Sequence, residues 1–181
     1  MVFAPDTEVA LRTVVNLINT SANGREGLAS VADLDAFLAA EGFSGGRSRD
    51  AAELESVLQL RRELAAVWTA DEDAAVETVN RLLRDANALP QLMKHDGWDW
   101  HLHATAPEAP LSDRMSTEAA MALADVIRSK EMERLRMCES EDCDAAVLDL
   151  SRNRSKRYCD TGNCANRAHV AAYRARQAAA N

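Results

Sequence analysis

The chain has 181 residues, 47% apolar, 4% aromatic and 28% charged, enough for one large or two small domains with an ordinary core. It contains no run of 18 apolar residues to span a membrane, and its first residues lack the basic and apolar regions of a signal peptide, so a cytosolic protein is expected. The net charge of −8 divides unevenly: residues 151–181 hold seven bases and one acid (+6), and the rest hold 14 bases and 28 acids (−14), which places a basic, partner-binding segment behind an acidic body.

Ala and Leu are abundant, which favours helix over sheet. Val9, Leu11, Val14, Val15, Leu17 and Ile18 recur at near-helical spacing and predict a first helix over Thr7 to Thr20, with Asp6 or Thr7 as N-cap. Ser21 to Gly27 breaks it. Ser30 caps a short helix carrying Leu34, Phe37 and Leu38 and ended by Gly42. Asp50 opens a long helix, and Asp71 caps the next, which stops before Pro90.

The pattern then changes. Gln91 to His95 and Trp98 to Thr105 are short runs flanking Asp96-Gly97, a strong hairpin signal. Trp98, Trp100, Leu102 and Ala104 share one face, expected to fill the core or line a ligand pocket. Asp99, His101, His103 and Thr105 share the other, expected to face water. His101 and His103 lack a third ligand in clear register. A sensor reading takes Asn16 and Asn19, three apart on the first helix, with Trp98 and Trp100 as ligand-binding residues for a small-molecule effector. From Ser112 or Ser116 a helix is expected to run toward Met137.

All four cysteines follow, as Cys138 and Cys143, then Cys159 and Cys164, two pairs of C-x4-C spacing. Four thiolates satisfy one tetrahedral zinc ion and leave no open coordination position, so the ion is structural rather than catalytic. Two disulfides are the alternative, disfavoured in a reducing cytosol. An iron–sulfur cluster also takes four thiolates. Between the pairs, Ala145 to Leu150 reads as extended, Ser151 to Ser155 as a turn and Lys156 to Tyr158 as a returning strand; after them a helix runs toward Ala178. A knuckle, a hairpin and a helix whose first turn carries the last ligand make a treble-clef-like zinc finger.

This stretch resembles the CGNR zinc-finger family. The resemblance lies in Leu148-Asp149, Ser151-Arg152-Asn153, Lys156-Arg157-Tyr158-Cys159, Cys164-Ala165-Asn166-Arg167 and Tyr173-Arg174-x-Arg176. The Asn16 to Thr20 end of the first helix, Trp100-x-Leu102 and Leu135-Arg136-x-Cys138 are similar to the ABATE domain that precedes this finger in the family. Membership implies a bacterial cytosolic protein acting as a stress-linked transcription regulator. Ala165 stands where the family name has Gly, and His169 where a base is usual.

The expected fold is α+β and predominantly helical. Residues 1–136 form a helical sensor or dimerisation domain with a small β-hairpin, and residues 137–181 the finger with a basic helix. Arg152, Arg154, Lys156, Arg157, Arg167, Arg174 and Arg176 are the candidate DNA contacts. They position the protein on phosphates without reading sequence. The alternative is a protein-interaction module without direct DNA binding, its bases paired with acids of the body. No nucleophile elbow, phosphate loop, HExxH or dinucleotide fingerprint is present, so no enzyme is expected.

Overall fold

The structure, a computed structural model, describes residues 2–94 and 99–179. Helix α1, Pro5–Asn19, begins earlier than the spacing suggests. Pro5 occupies its first turn, where a fixed φ favours the helix. Ala4 caps it without a side-chain bond, and the Glu8 carboxylate accepts the Val2 and Phe3 N–H groups at 2.9 and 3.4 Å. Thr7 is no cap; it is buried and donates to Asp125 at 2.9 Å. Helices α2 (Val31–Ala40), α3 (Ala51–Val67) and α4 (Glu72–Asp85) start where expected. Ser30, Asp50 and Asp71 each accept the N–H three residues on.

Strands β1 (Gln91–Met93) and β2 (His101–His103) form the expected antiparallel hairpin, Leu92 opposite Leu102. The expected turn Asp96-Gly97 and Trp98 lie outside the described residues. Over residues 100–103 the exposure is the reverse of that expected: Trp100 is 66% and Leu102 45% exposed, while His101 and His103 are half-buried; Ala104 is buried and Asp99 exposed, as expected. His101 Nδ1 lies 2.7 Å from the Asp99 carbonyl oxygen and its Nε2 2.9 Å from His103 Nε2. Imidazoles with engaged ring nitrogens can be covered at little cost.

Helix α5, Leu111–Arg128, packs against α1, α3 and α4. It starts after Pro110 rather than at Ser112 or Ser116, and it stops nine residues short of Met137. Lys130 takes a left-handed φ of 57°. The Lys130 and Glu131 N–H groups return to the Ile127 and Val126 carbonyls at 3.0 Å. This C-terminal closure is usually made by glycine, so the Lys130 stop has no sequence signal. The released chain forms β3, Leu135–Met137, which pairs antiparallel with β4, Ala146–Leu148. The C-terminal hairpin therefore brackets the first cysteine pair. The returning strand expected at Lys156 to Tyr158 does not form, because the Asp149 carboxylate takes the Lys156 N–H at 2.9 Å. Helix α6, Cys164–Ala179, ends the described chain.

Strand β4 is buried on both faces, as its period of two allows. Ala146 and Leu148 join the main core with Leu11, Leu17, Leu64 and Leu123. Ala145 and Val147 join a small second cluster with Ala22 and three of the cysteines. Residue 136 lies within β3, so both hairpin strands sit where body and finger meet.

Candidate metal centre and its basic surround

Strand β3 delivers Cys138, the following turn Cys143, and the start of α6 Cys164, with Cys159 five residues before. The knuckle is closed by Cys138 N–H to the Ala145 carbonyl at 2.9 Å and Cys143 N–H to the Ser140 carbonyl at 3.0 Å. All four Sγ atoms lie within 4.8 Å of one another. Cys143–Cys159 and Cys159–Cys164 are both 3.7 Å apart. Tetrahedral zinc with bonds of about 2.3 Å needs sulfurs about 3.8 Å apart. No pair is joined as a disulfide, and a single ion fits the spacing. The sequence expectation of one structural four-cysteine zinc site therefore holds.

The surroundings favour thiolate at Cys159 and oppose it at Cys138 and Cys143. Burial raises the Cys138 thiol, and pushes that of Cys143 up to about 12. At Cys159 burial acts in the same direction, but hydrogen bonds from Thr161 and the Gly162 N–H outweigh it and bring the thiol to about 7. A divalent cation supplies the charge that keeps all four deprotonated. Arg167 Nη2 lies 3.2 Å from Cys164 Sγ. Space beside Gly162 is tight: a Cβ there would sit 3.2 Å from Cys164 Sγ and in ordinary contact, 3.7 Å, with Cys159 Sγ.

Sequence reasoning missed the buried polar work that fixes the loop carrying Arg152 and Arg154. Asp149, fully buried, accepts from the Ser151 N–H at 2.9 Å, the Ser151 hydroxyl at 2.5 Å and the Lys156 N–H. Burial works against its charge, but these donors hold the carboxyl below its ordinary range. Arg134 donates to the Asp149 and Ser151 carbonyls at 2.8 and 2.9 Å. The Leu148-Asp149-x-Ser151 pattern was the available signal.

The seven candidate bases fall into two sets. Arg154 pairs with Glu131 at 2.9 Å and with Glu133, Lys156 with Asp160 at 2.6 Å, Arg157 with Glu139, and Arg167 with Asp142. Arg152, Arg174 and Arg176 are exposed and make no ion pair among the described residues. Arg174 and Arg176 ride on α6, whose only buried residue is Cys164; Val170 and Tyr173 are 47% and 57% exposed.

Of the four ligand candidates, the three described, Asn16, Asn19 and Trp100, lie in different surroundings. Asn16 donates to Glu41 at 2.8 Å on the surface. Asn19 is buried and pairs with β4 like a neighbouring strand, donating to the Ala146 carbonyl at 2.9 Å and accepting its N–H at 2.7 Å. Trp100 stands exposed on the first hairpin, and Trp98 lies outside the described residues. Asn19 thus joins the body to the metal module, helped by Trp68 Nε1 on the Val147 carbonyl at 3.2 Å.

Two family models match the chain. Residues 134–177 match the CGNR zinc finger. Residues 11–130 match ABATE, described as "Putative stress-induced transcription regulator". A search of curated proteins found no match. No helix among the described residues is long and apolar enough to cross a membrane. With a closed four-cysteine cluster at the expected position and a family model covering most of the residues before it, the chain belongs to the ABATE family and carries a CGNR zinc finger.

Proposed function

We propose that this protein is a cytoplasmic, non-enzymatic transcription regulator that binds DNA through its zinc module. The carrying observation is α6: beyond its first turn it stands clear of the body and presents Arg174 and Arg176 without acidic partners among the described residues. Arg152 adds a third open cation on the loop fixed by Asp149. Such cations displace counterions from phosphates. Zinc acts by holding the loop and the helix start in place; a four-thiolate site leaves no position for catalysis. Titrating the zinc-loaded protein with duplex DNA across a salt series tests the reading. Affinity is expected to fall steeply with salt, and a folded, zinc-bound protein without salt-sensitive binding overturns it.

A second reading is a protein-interaction module. It is favoured by Arg154, Lys156, Arg157 and Arg167, whose charges are met by acids of the same chain. A partner captured equally well with and without nuclease supports it. For the body, the apolar outer face of the first hairpin, with Leu92 64%, Trp100 66% and Leu102 45% exposed, supports self-association. Sedimentation of Trp100→Ser beside the wild type reads it: a dimer lost in the variant is the expected result.

A further inference from the structure

A cleft separates α1 from the metal module. Its floor is Val15, the strand β4 and Cys159, and its rim is Arg12, Asn16, Lys156 and Asp160. About 100 Å³ of it is open to water-sized molecules, enough for several waters or one small organic molecule. In an antiparallel pair, alternate residues turn their N–H and C=O away from the partner strand. Asp149 N–H to the Arg134 carbonyl and Cys138 N–H to the Ala145 carbonyl, both at 2.9 Å, set that alternation here. Ala146 and Leu148 are therefore the residues of β4 whose backbone groups face away from β3.

Asn19 shows what such a residue takes. Its side-chain carboxamide donates to the Ala146 carbonyl at 2.9 Å and accepts the Ala146 N–H at 2.7 Å. Leu148 presents the same donor and acceptor two residues on, and among the described residues neither has a partner. Leu148 is 5% exposed, and a buried backbone pair left open is costly. Asn16, one turn before Asn19, does not supply the missing group, because it is turned to Glu41. Two cations border the same space. Arg12 is exposed and makes no ion pair or hydrogen bond among the described residues. Lys156 Nζ lies 2.6 Å from Asp160 and keeps two further donors. Asp160 and the nearby thiolates limit the negative charge that can sit beside them, which favours a monoanion over a dianion.

We infer that this cleft binds a small primary carboxamide that carries one carboxylate. Its amide pairs with Leu148 as Asn19 pairs with Ala146, and its carboxylate is met by Arg12 and Lys156. Such an occupant touches α1 on one side and Lys156 on the other. The Lys156 N–H is held by the Asp149 carboxylate, which also fixes the loop carrying Arg152. As the effector site of the regulator the cleft rests on the function proposed above; as a binding site it does not, and its test needs no DNA.

The test uses full-length, zinc-loaded, ¹⁵N-labelled protein titrated with succinamate, succinate and propionamide, the amide signals of α4 serving as internal reference. The expected result is a saturable downfield shift of the Leu148 amide proton with succinamate. Succinate lacks the amide and propionamide lacks the charge, and each should bind about tenfold more weakly, the scale of the hydrogen bonds it cannot make. Arg12→Gln, at an exposed position that leaves the core untouched, should weaken succinamate by about fivefold, the scale of one solvent-exposed ion pair. The same spectra report whether the variant is folded. A Leu148 amide that does not respond, either control binding as tightly as succinamate, or unchanged affinity in Arg12→Gln would overturn the proposal. Salt-sensitive DNA binding without succinamate binding would sink the cleft and leave the regulator standing; the converse would do the opposite.

Discussion

The helical body and the cysteine module meet at β4 but are held by different forces. The body buries a continuous apolar core built from α1 to α5, among them Leu11, Leu17, Leu34, Leu64, Leu111 and Leu123. Among the described residues the buried cluster around the cysteines adds only Ala145, Val147 and, from the body, Ala22, with Tyr158 partly buried against it, and most of α6 is in solvent. An apolar core of that size cannot offset the conformational entropy of some forty residues. The body is stable through burial and the module through its metal, and the polar bonds of Asn19 and Trp68 tie the two together.

The largest effect should come from the metal. Zinc removal, or Cys159→Ser, withdraws roughly 10–16 kcal/mol of apparent folding free energy. Native mass spectrometry should show one zinc per wild-type chain and none in the variant. Amide exchange should then rise throughout the module, at Val147 included, while the α3 and α5 amides stay protected. Collapse of protection across the whole chain would erase the contrast between the two regions.

Asn19→Ala comes next. It leaves the buried N–H and carbonyl of Ala146 without partners, at a cost of about 2–4 kcal/mol. That lowers the melting temperature by roughly 5–15 °C, with zinc stoichiometry unchanged. An unaltered melt would mean that α1 does not secure the module.

Glu118→Gln should act in the opposite direction. The folded-state carboxyl titrates at about 7 against an ordinary 4.5. A raised carboxylate costs stability as pH climbs between those values and keeps costing it above them. The variant should therefore be more stable than wild type by about 1–3 kcal/mol near pH 8 and equal to it near pH 4. A gain of the same size at both would deny that burial of the charge is responsible. The smallest effect is expected for Arg154→Ala, whose pairs with Glu131 and Glu133 are exposed and screened by solvent; its melting temperature should match that of wild type.

Much of this was legible in the chain. Ser30, Asp50 and Asp71 announce three helices because a short polar side chain before an apolar repeat has a defined use there. The cysteine spacing announces the metal because zinc limits the ligands it takes. The end of α5 was hidden, since Lys130 does the work of glycine. In the first hairpin Trp100 and Leu102 were read as covered and His101 and His103 as open, the reverse of what is found, because alternation fixes which residues share a face but not which face is covered. Glu118 and Asp149 look like any surface acids in sequence; only the packing around them decides that one lacks a donor and the other has three.

The most direct measurement sets the salt dependence of duplex DNA affinity for zinc-loaded wild type beside that of the triple variant Arg152→Ala, Arg174→Ala, Arg176→Ala. If the open arginines meet phosphates, the slope of log affinity against log salt should be shallower in the triple variant by about 2.7, at about 0.9 per phosphate contact. An identical slope in the two proteins, or a wild type whose binding ignores salt, would contradict the account.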